Sequence, residues 1–430
     1  MNAPEKESGG NPPVWLRDPY LEWTAREGVP VVEDFGVDLH KVETRLWPRL
    51  DVPAAFVHLK GRGDFMSLFV IDLPPGAKCA PQQHLFEEVV YVLSGHGSTT
   101  VEVEGERHSF EWGPSSLFAL PLNARYQHFN GSGTEKARLV SANNLTLMMN
   151  LLHDEDFIFN NSTVFRNRMG KPGYFTGDGE RIETAPGRFM WETNFVADVT
   201  AFKLEAWEQR GARSKNIRFA FADGVMHAHT SEMAVGTYKK GHRHGPDFHV
   251  LITVGQGYSL FWHEGDKDFI RVDWHPGVVF APTDGVFHQH FNTSRQPARY
   301  MALALGSLRY PLTADKLKIF VGVDVDVKKG GAQIEYTDQD PRIHTLYLTE
   351  LAKSGVASEM GDQFDEVGWR PGKAVLAKGV KPPKAASQKT RKKSAPPKSK
   401  IRPAVKASTR RAAAKKRPQP AKIKRAKKKS

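Results

Sequence analysis

From about residue 51 the apolar positions come in short runs rather than in a helical stripe. "SLFVIDLPPG" (67–76), "EVVYVLSGHGSTTVEV" (88–103) and "SSLFALPLN" (115–123) are rich in Val, Phe, Leu and Thr and are separated by Gly, Pro and Asn. Runs of that length, punctuated by turn formers, predict strands joined by tight turns and an all-β sandwich or barrel. The texture returns over 195–325. Between the two blocks, "MMNLLHDEDFIFNN" (148–161) and "RMGKPGYFTGDGERIETAPG" (168–187) predict a helix or irregular linker. Residues 1–50 alternate Pro, Gly and short helical stretches, and are expected to wrap the body. "TLYLTELAKSG" (345–355) is spaced as an amphipathic helix and is expected to close the folded part within 326–370.

The second block repeats the first. At a shift of 160, Gly76, His84 and Gly95 meet Gly236, His244 and Gly255. At a shift of 162, Trp112, Pro114, Phe118 and Ala119 meet Trp274, Pro276, Phe280 and Ala281, and "QHFN" (127–130) meets "QHFN" (289–292). Two nearly constant offsets mark a tandem duplication of one all-β unit, placed here at 51–170 and 195–325.

Charge divides the chain differently. Residues 371–430 hold 23 Lys or Arg and no acidic residue, leaving 38 basic and 48 acidic residues in 1–370, a net of −10. The tail mixes Lys, Ala, Pro and Ser without aromatics, so it cannot bury a core and is expected to be disordered. Its composition resembles the basic tails of linker histones, and it predicts non-specific, salt-sensitive attachment to nucleic acid by counterion release. The other reading is a solubilising tail that folds back on the acidic body. A single cysteine, Cys79, excludes an intramolecular disulfide framework and fits a reducing compartment. The polar start "MNAPEKESGG" and the lack of a long apolar run predict no signal peptide and no membrane span. A cytoplasmic, homo-oligomeric protein is expected, with nucleoid association through the tail.

The chemistry gathers in "GTYKKGHRHGPDFH" (236–249) and "FHQHFN" (287–292). Side chains two apart on a strand share a face, so His242 and His244 form one row and His288, His290 and Asn292 another. Neighbouring strands would bring up to four imidazoles together, and neutral imidazole is the commonest protein ligand for Fe, Mn, Ni, Cu or Zn. Taken singly, each fits an ordinary hydrogen-bonded strand histidine equally well.

The spacing resembles the two motifs of the cupin superfamily, G-x5-H-x-H-x(3,4)-E-x6-G and G-x5-P-x-G-x2-H-x3-N. Gly236 is followed by His242 and His244, and Gly277 by Gly285, His288 and Asn292, with Pro282 one residue early. Both halves fit, so the chain is similar to a bicupin: two tandem double-stranded β-helix barrels. The resemblance implies a metal on His242, His244 and His288. His249 is the expected fourth ligand where the longer gap applies, although Phe248 keeps better register with Gly255. His290 is assigned to the reaction itself, as a base or hydrogen-bond partner, with ligation the alternative. In the first unit Gly76, His84, Glu88 and Gly95 fit, but Gln82 and Tyr126 stand where histidines are usual, and Ser115 and Asn123 replace glycines. That barrel is expected to be degenerate.

A site with histidines and no carboxylate looks most like that of the gentisate-type ring-cleaving dioxygenases. The resemblance implies Fe(II), with Mn, Ni or Zn as alternatives, acting on a hydroxylated aromatic or dicarbonyl acid. Lys239, Lys240, Arg243, Arg271 and Arg299 are candidates for gripping the substrate's carboxylate, with Arg243 expected to point away. His227 and His229 share a strand face and either pack or line the pocket mouth. The alternatives are a metal-dependent decarboxylase, isomerase or lyase, and a non-enzymatic cupin that binds a small molecule.

Overall fold

A computed structural model describes residues 15–364 except 64, 222, 246–247, 308 and 311–323. The basic tail expected to bind nucleic acid lies outside the described residues. Among those described, no helix is long and apolar enough to cross a membrane.

The all-β expectation is met by two barrels of the same topology. The first has a main sheet in the order β4 (Val52–Leu59), β5 (Ser67–Leu73), β11 (Ala137–Asn143), β6 (Glu88–Ser94), β9 (Leu117–Leu120). A smaller sheet, β10 (Arg125–Asn130), β7 (Gly97–Val103), β8 (Glu106–Trp112), completes it. The second repeats the pattern: β16 (Lys215–Ala220), β17 (Met226–Met233), β23 (Ala298–Leu305), β18 (Phe248–Val254), β21 (Val278–Phe280), with β22 (Phe287–Asn292), β19 (Gly257–Trp262), β20 (Ile270–Trp274). The repeated glycines have a shared cause. Gly95 and Gly255 turn the chain at φ +84° and +82°, and a Cβ on either would come within 2.5 or 2.9 Å of the Ala137 or Ala298 Cα. No other residue accepts both constraints.

Strand alternation sorts the apolar residues into separate cores. One face of each main sheet fills its own barrel, Phe56, Val90 and Phe118 in the first, Val250, Phe280 and Tyr300 in the second. The opposite faces meet between the barrels, where Val57, Leu68, Val70 and Val140 join Ile217, Phe219, Leu251 and Met301. Each such fully buried side chain contributes roughly 1.5–3 kcal/mol. Glu87 reinforces the junction: its Oε2 accepts from Val225 and Met226 N–H at 2.8 and 2.7 Å, and Arg168 pairs with its other oxygen.

The flanking segments divide less simply than expected. β1 (Val31–Asp34) runs parallel to β4, whereas β2 (Gly36–Asp38) crosses to pair with β21 of the second barrel. Reciprocally, β13 (Arg188–Glu192) runs parallel to β16, whereas β14 (Phe195–Val196) pairs with β9 of the first. The linker forms helices Leu145–Leu152 and Glu155–Phe159 and then a hairpin over Glu180–Glu192. The closing helix is Pro341–Ser354, capped by Asp340 and ended by Gly355 at φ 62°. Its buried Ile343, His344, Tyr347 and Leu351 cover Tyr238, Tyr258 and Phe291 on the outside of the second barrel.

Candidate metal centre

His242 forms a bridge with His288, and His288 N–H donates back to the His242 carbonyl at 2.8 Å. This pairing brings the first histidine row against β22. One ring nitrogen from each of His242, His244 and His288 lies within 4.8 Å of the others. The remaining nitrogens are already engaged: Nδ1 of His242 faces the Lys240 carbonyl at 3.2 Å, that of His244 the Gly245 carbonyl at 3.0 Å, and that of His288 the Val286 carbonyl at 3.2 Å. A carbonyl only accepts, so each Nδ1 carries the proton and each Nε2 keeps its lone pair. Burial, reinforced by the neighbouring histidines and Arg210, pushes His242 and His288 well below 6.5, and burial brings His244 to about 4. The three imidazoles are therefore neutral donors, the form a divalent metal takes.

His249 does not join them. Along β18 it is Phe248 that faces inward, its ring 4.1 Å from that of His244, while His249 shares the opposite face with Leu251. His249 is buried towards the other barrel, and neither ring nitrogen has a hydrogen-bond partner among the described residues. The shorter motif gap is the right one: the 160-residue offset sets Phe248 opposite Glu88, and an apolar ring replaces the acidic ligand.

His290 is held differently from the three. Its Nδ1 lies 2.8 Å from Ser259 Oγ, which also accepts from Trp274 Nε1 at 3.0 Å. The first barrel has the same arrangement, His128 Nδ1 2.8 Å from Thr99 Oγ1 and Trp112 Nε1 donating to it at 2.9 Å. Because the trio recurs where Gln82 and Tyr126 replace two of the three histidines, it is a device of the barrel itself. The sequence signal was the shared offset of Trp and His, without any indication that a hydroxyl joins them.

In the first barrel the equivalent positions satisfy one another. His84 Nδ1 donates to the Phe86 carbonyl at 2.9 Å, its Nε2 lies 3.0 Å from Tyr126 OH, and Tyr126 donates to Glu88 Oε2 at 2.7 Å. Burial, the largest influence, works against the Glu88 charge, but the hydrogen bonds and charges of His84, Ser141 and His128 together hold the carboxyl below its usual range. Gln82 turns its amide to the carbonyls of Arg49 and Ala80.

Of the proposed carboxylate-gripping residues, four are committed elsewhere. Lys240 pairs with Glu335, Arg243 with Glu264, Arg271 with Asp273 and Glu350, and Arg299 with Glu232. Lys239 alone turns inward, buried, with its ammonium 5.3 Å from the Tyr300 ring. His229 faces the interior as well, its ring 5.9 Å from Phe248 and 6.2 Å from Tyr300.

Two barrels of one topology, each with its motif residues at the same corner, make this a protein of bicupin architecture. No family model matches the chain, and no curated protein matches it. Among solved structures, the vicilin of hazelnut, Corylus avellana, is similar over 63% of this chain and 85% of its own, at 11% identity and a TM-score of 0.41. Bacillus subtilis oxalate decarboxylase is similar over 64% of this chain and 76% of its own, at 14% identity and a TM-score of 0.41. Likeness at this level carries no argument about what the chain binds.

Proposed function

We propose that the second barrel is a metal-dependent enzyme site acting on an organic acid, and that its reaction is a dioxygenation at Fe(II) of a hydroxylated aromatic or dicarbonyl acid. The observation that carries this reading is the set of three neutral, pre-oriented imidazoles with Phe248 standing where an acidic ligand would be. Fixing each Nδ1 on a carbonyl orients the rings before any ion arrives, which favours tight binding. Without a carboxylate in the set, a divalent ion would keep its full charge and favour an anionic, chelating substrate. A ferrous ion there would supply Lewis acidity and the redox chemistry that zinc lacks.

Elemental analysis of freshly purified protein tests the first half, with one metal per chain expected. Reconstitution tests the second: activity should return with Fe(II) and not with Zn(II), consuming one dioxygen per acid, both oxygen atoms entering the product. Turnover that proceeds equally well without oxygen would place the protein among the metal-dependent decarboxylases, isomerases or lyases instead.

A further inference from the structure

Strand β16 carries a second recognition element. Ile217 and Phe219 lie in the core between the barrels, so Arg218 points the other way, into the second barrel. It stands opposite His229 on β17, which in turn stands opposite Ala302 on β23. Among the described residues the Arg218 guanidinium has no hydrogen bond and no ion pair, and it lies 5.7 Å from the Trp207 ring. Arg188 also lies over Trp207, and it pairs with the nearby Asp324. The ammonium of Lys239, a residue 2% exposed, likewise has no hydrogen bond or ion pair among the described residues.

Positive charge held inside a barrel without a hydrogen-bonded partner is unfavourable, because a carboxylate such as Asp324, already paired with Arg188, offsets only part of the desolvation. Burial lowers the Arg218 guanidinium to about 10 and drives the Lys239 ammonium well below 10.5. The wall between the two cations is aromatic and small: His229, Phe248 and Tyr300 surround the short side chains of Ala302 and Ala304. Arg218, His229, His244 and Phe248 all face inward yet are only half-buried, so this end of the barrel is open to solvent.

We propose that Arg218 and Lys239 form an anion-recognition site in the second barrel that takes the carboxylate of a planar organic acid, whose ring or conjugated body lies against Phe248 and Tyr300. The arginine fork matches a carboxylate in two parallel hydrogen bonds, and Lys239 adds a point charge. That the opposite end of the acid faces His242, His244 and His288 rests on the function proposed above; the anion site itself does not.

The test uses the full chain stripped of metal with a chelator and titrated calorimetrically with benzoate. Benzoate should bind, and its neutral analogue benzamide should not. Arg218→Met and Lys239→Met should each weaken benzoate about tenfold or more, the loss of a charge-assisted hydrogen bond. Arg243→Met, which removes a cation already paired with Glu264, should leave affinity unchanged. Arg218→Met should also melt no lower than wild type without ligand, since it removes a charge that no direct partner holds. Unchanged benzoate affinity in Arg218→Met, a large drop in its melting temperature, or sulfate binding as tightly as benzoate would each overturn the proposal. His288→Ala separates the two readings: it should lose metal yet bind benzoate as before, and loss of benzoate binding in that variant would also count against a separate anion site.

Discussion

Ser259→Ala tests whether the trio around His290 builds the barrel or serves its chemistry. Ser259 is fully buried, and its hydroxyl is the partner shown for both Trp274 Nε1, at 3.0 Å, and His290 Nδ1, at 2.8 Å. Removing the oxygen leaves two buried polar groups unsatisfied, each at a cost of about 1–3 kcal/mol, so about 2–4 kcal/mol together after local relaxation. Against a total stability on the order of 5–15 kcal/mol, that is a large effect. Thr99→Val does the same to Trp112 and His128 while keeping side-chain volume, and should cost a comparable amount. Urea denaturation measures both, as a lower midpoint at unchanged slope. Ser259→Ala should meanwhile keep its metal, because His242, His244 and His288 are oriented by their own carbonyls and not by Ser259. A loss below about 0.5 kcal/mol in either variant, or purification of Ser259→Ala without metal, would refute a shared structural role.

The proposed ligands can be tested directly: His242→Ala or His288→Ala should abolish metal retention, measured by elemental analysis, whereas His84→Ala should leave it intact. Tyr126→Phe should destabilise the first barrel by about 1–3 kcal/mol in a denaturant titration, because buried Glu88 and His84 both lose a partner. Burial holds His244 and His128 near 4 against an ordinary 6.5, so these groups bind fewer protons folded than unfolded. Stability should therefore rise with pH from about 4 to 6.5; a denaturation midpoint that is flat or falls across that window would contradict their neutrality. Deleting residues 371–430 should abolish salt-sensitive, sequence-independent binding to DNA or RNA in a filter or mobility assay while leaving metal content unchanged.

The repeat and the three converging histidines were legible because strand period and fixed offsets survive in a single sequence. The parity at Phe248 and His249 was not: a one-residue choice of gap decides which side chain enters the barrel, and composition does not arbitrate between two ring-bearing residues. Arg218 was missed for a related reason. "KNIRFA" alternates cleanly, but which face of β16 meets the other barrel depends on β17 and β23. The crossing of β2 and β14 leaves no local signal at all, since two- and three-residue strands are specified by the edges they join.

That crossing bears on how the two sites came to differ. Phe35 separates β1 on the first barrel from β2 on the second, and two residues separate β13 on the second from β14 on the first. Each barrel lends an arm to the other, the geometry of a two-fold dimer with exchanged arms, here written into a single polypeptide. In a dimer of identical chains a substitution reaches both centres at once. Covalent fusion lifts that symmetry: Tyr126 can close one barrel with hydrogen bonds while His288, its counterpart, stays open in the other. One half is thereby free to close its corner with its own side chains, and its twin keeps three histidines turned toward one another.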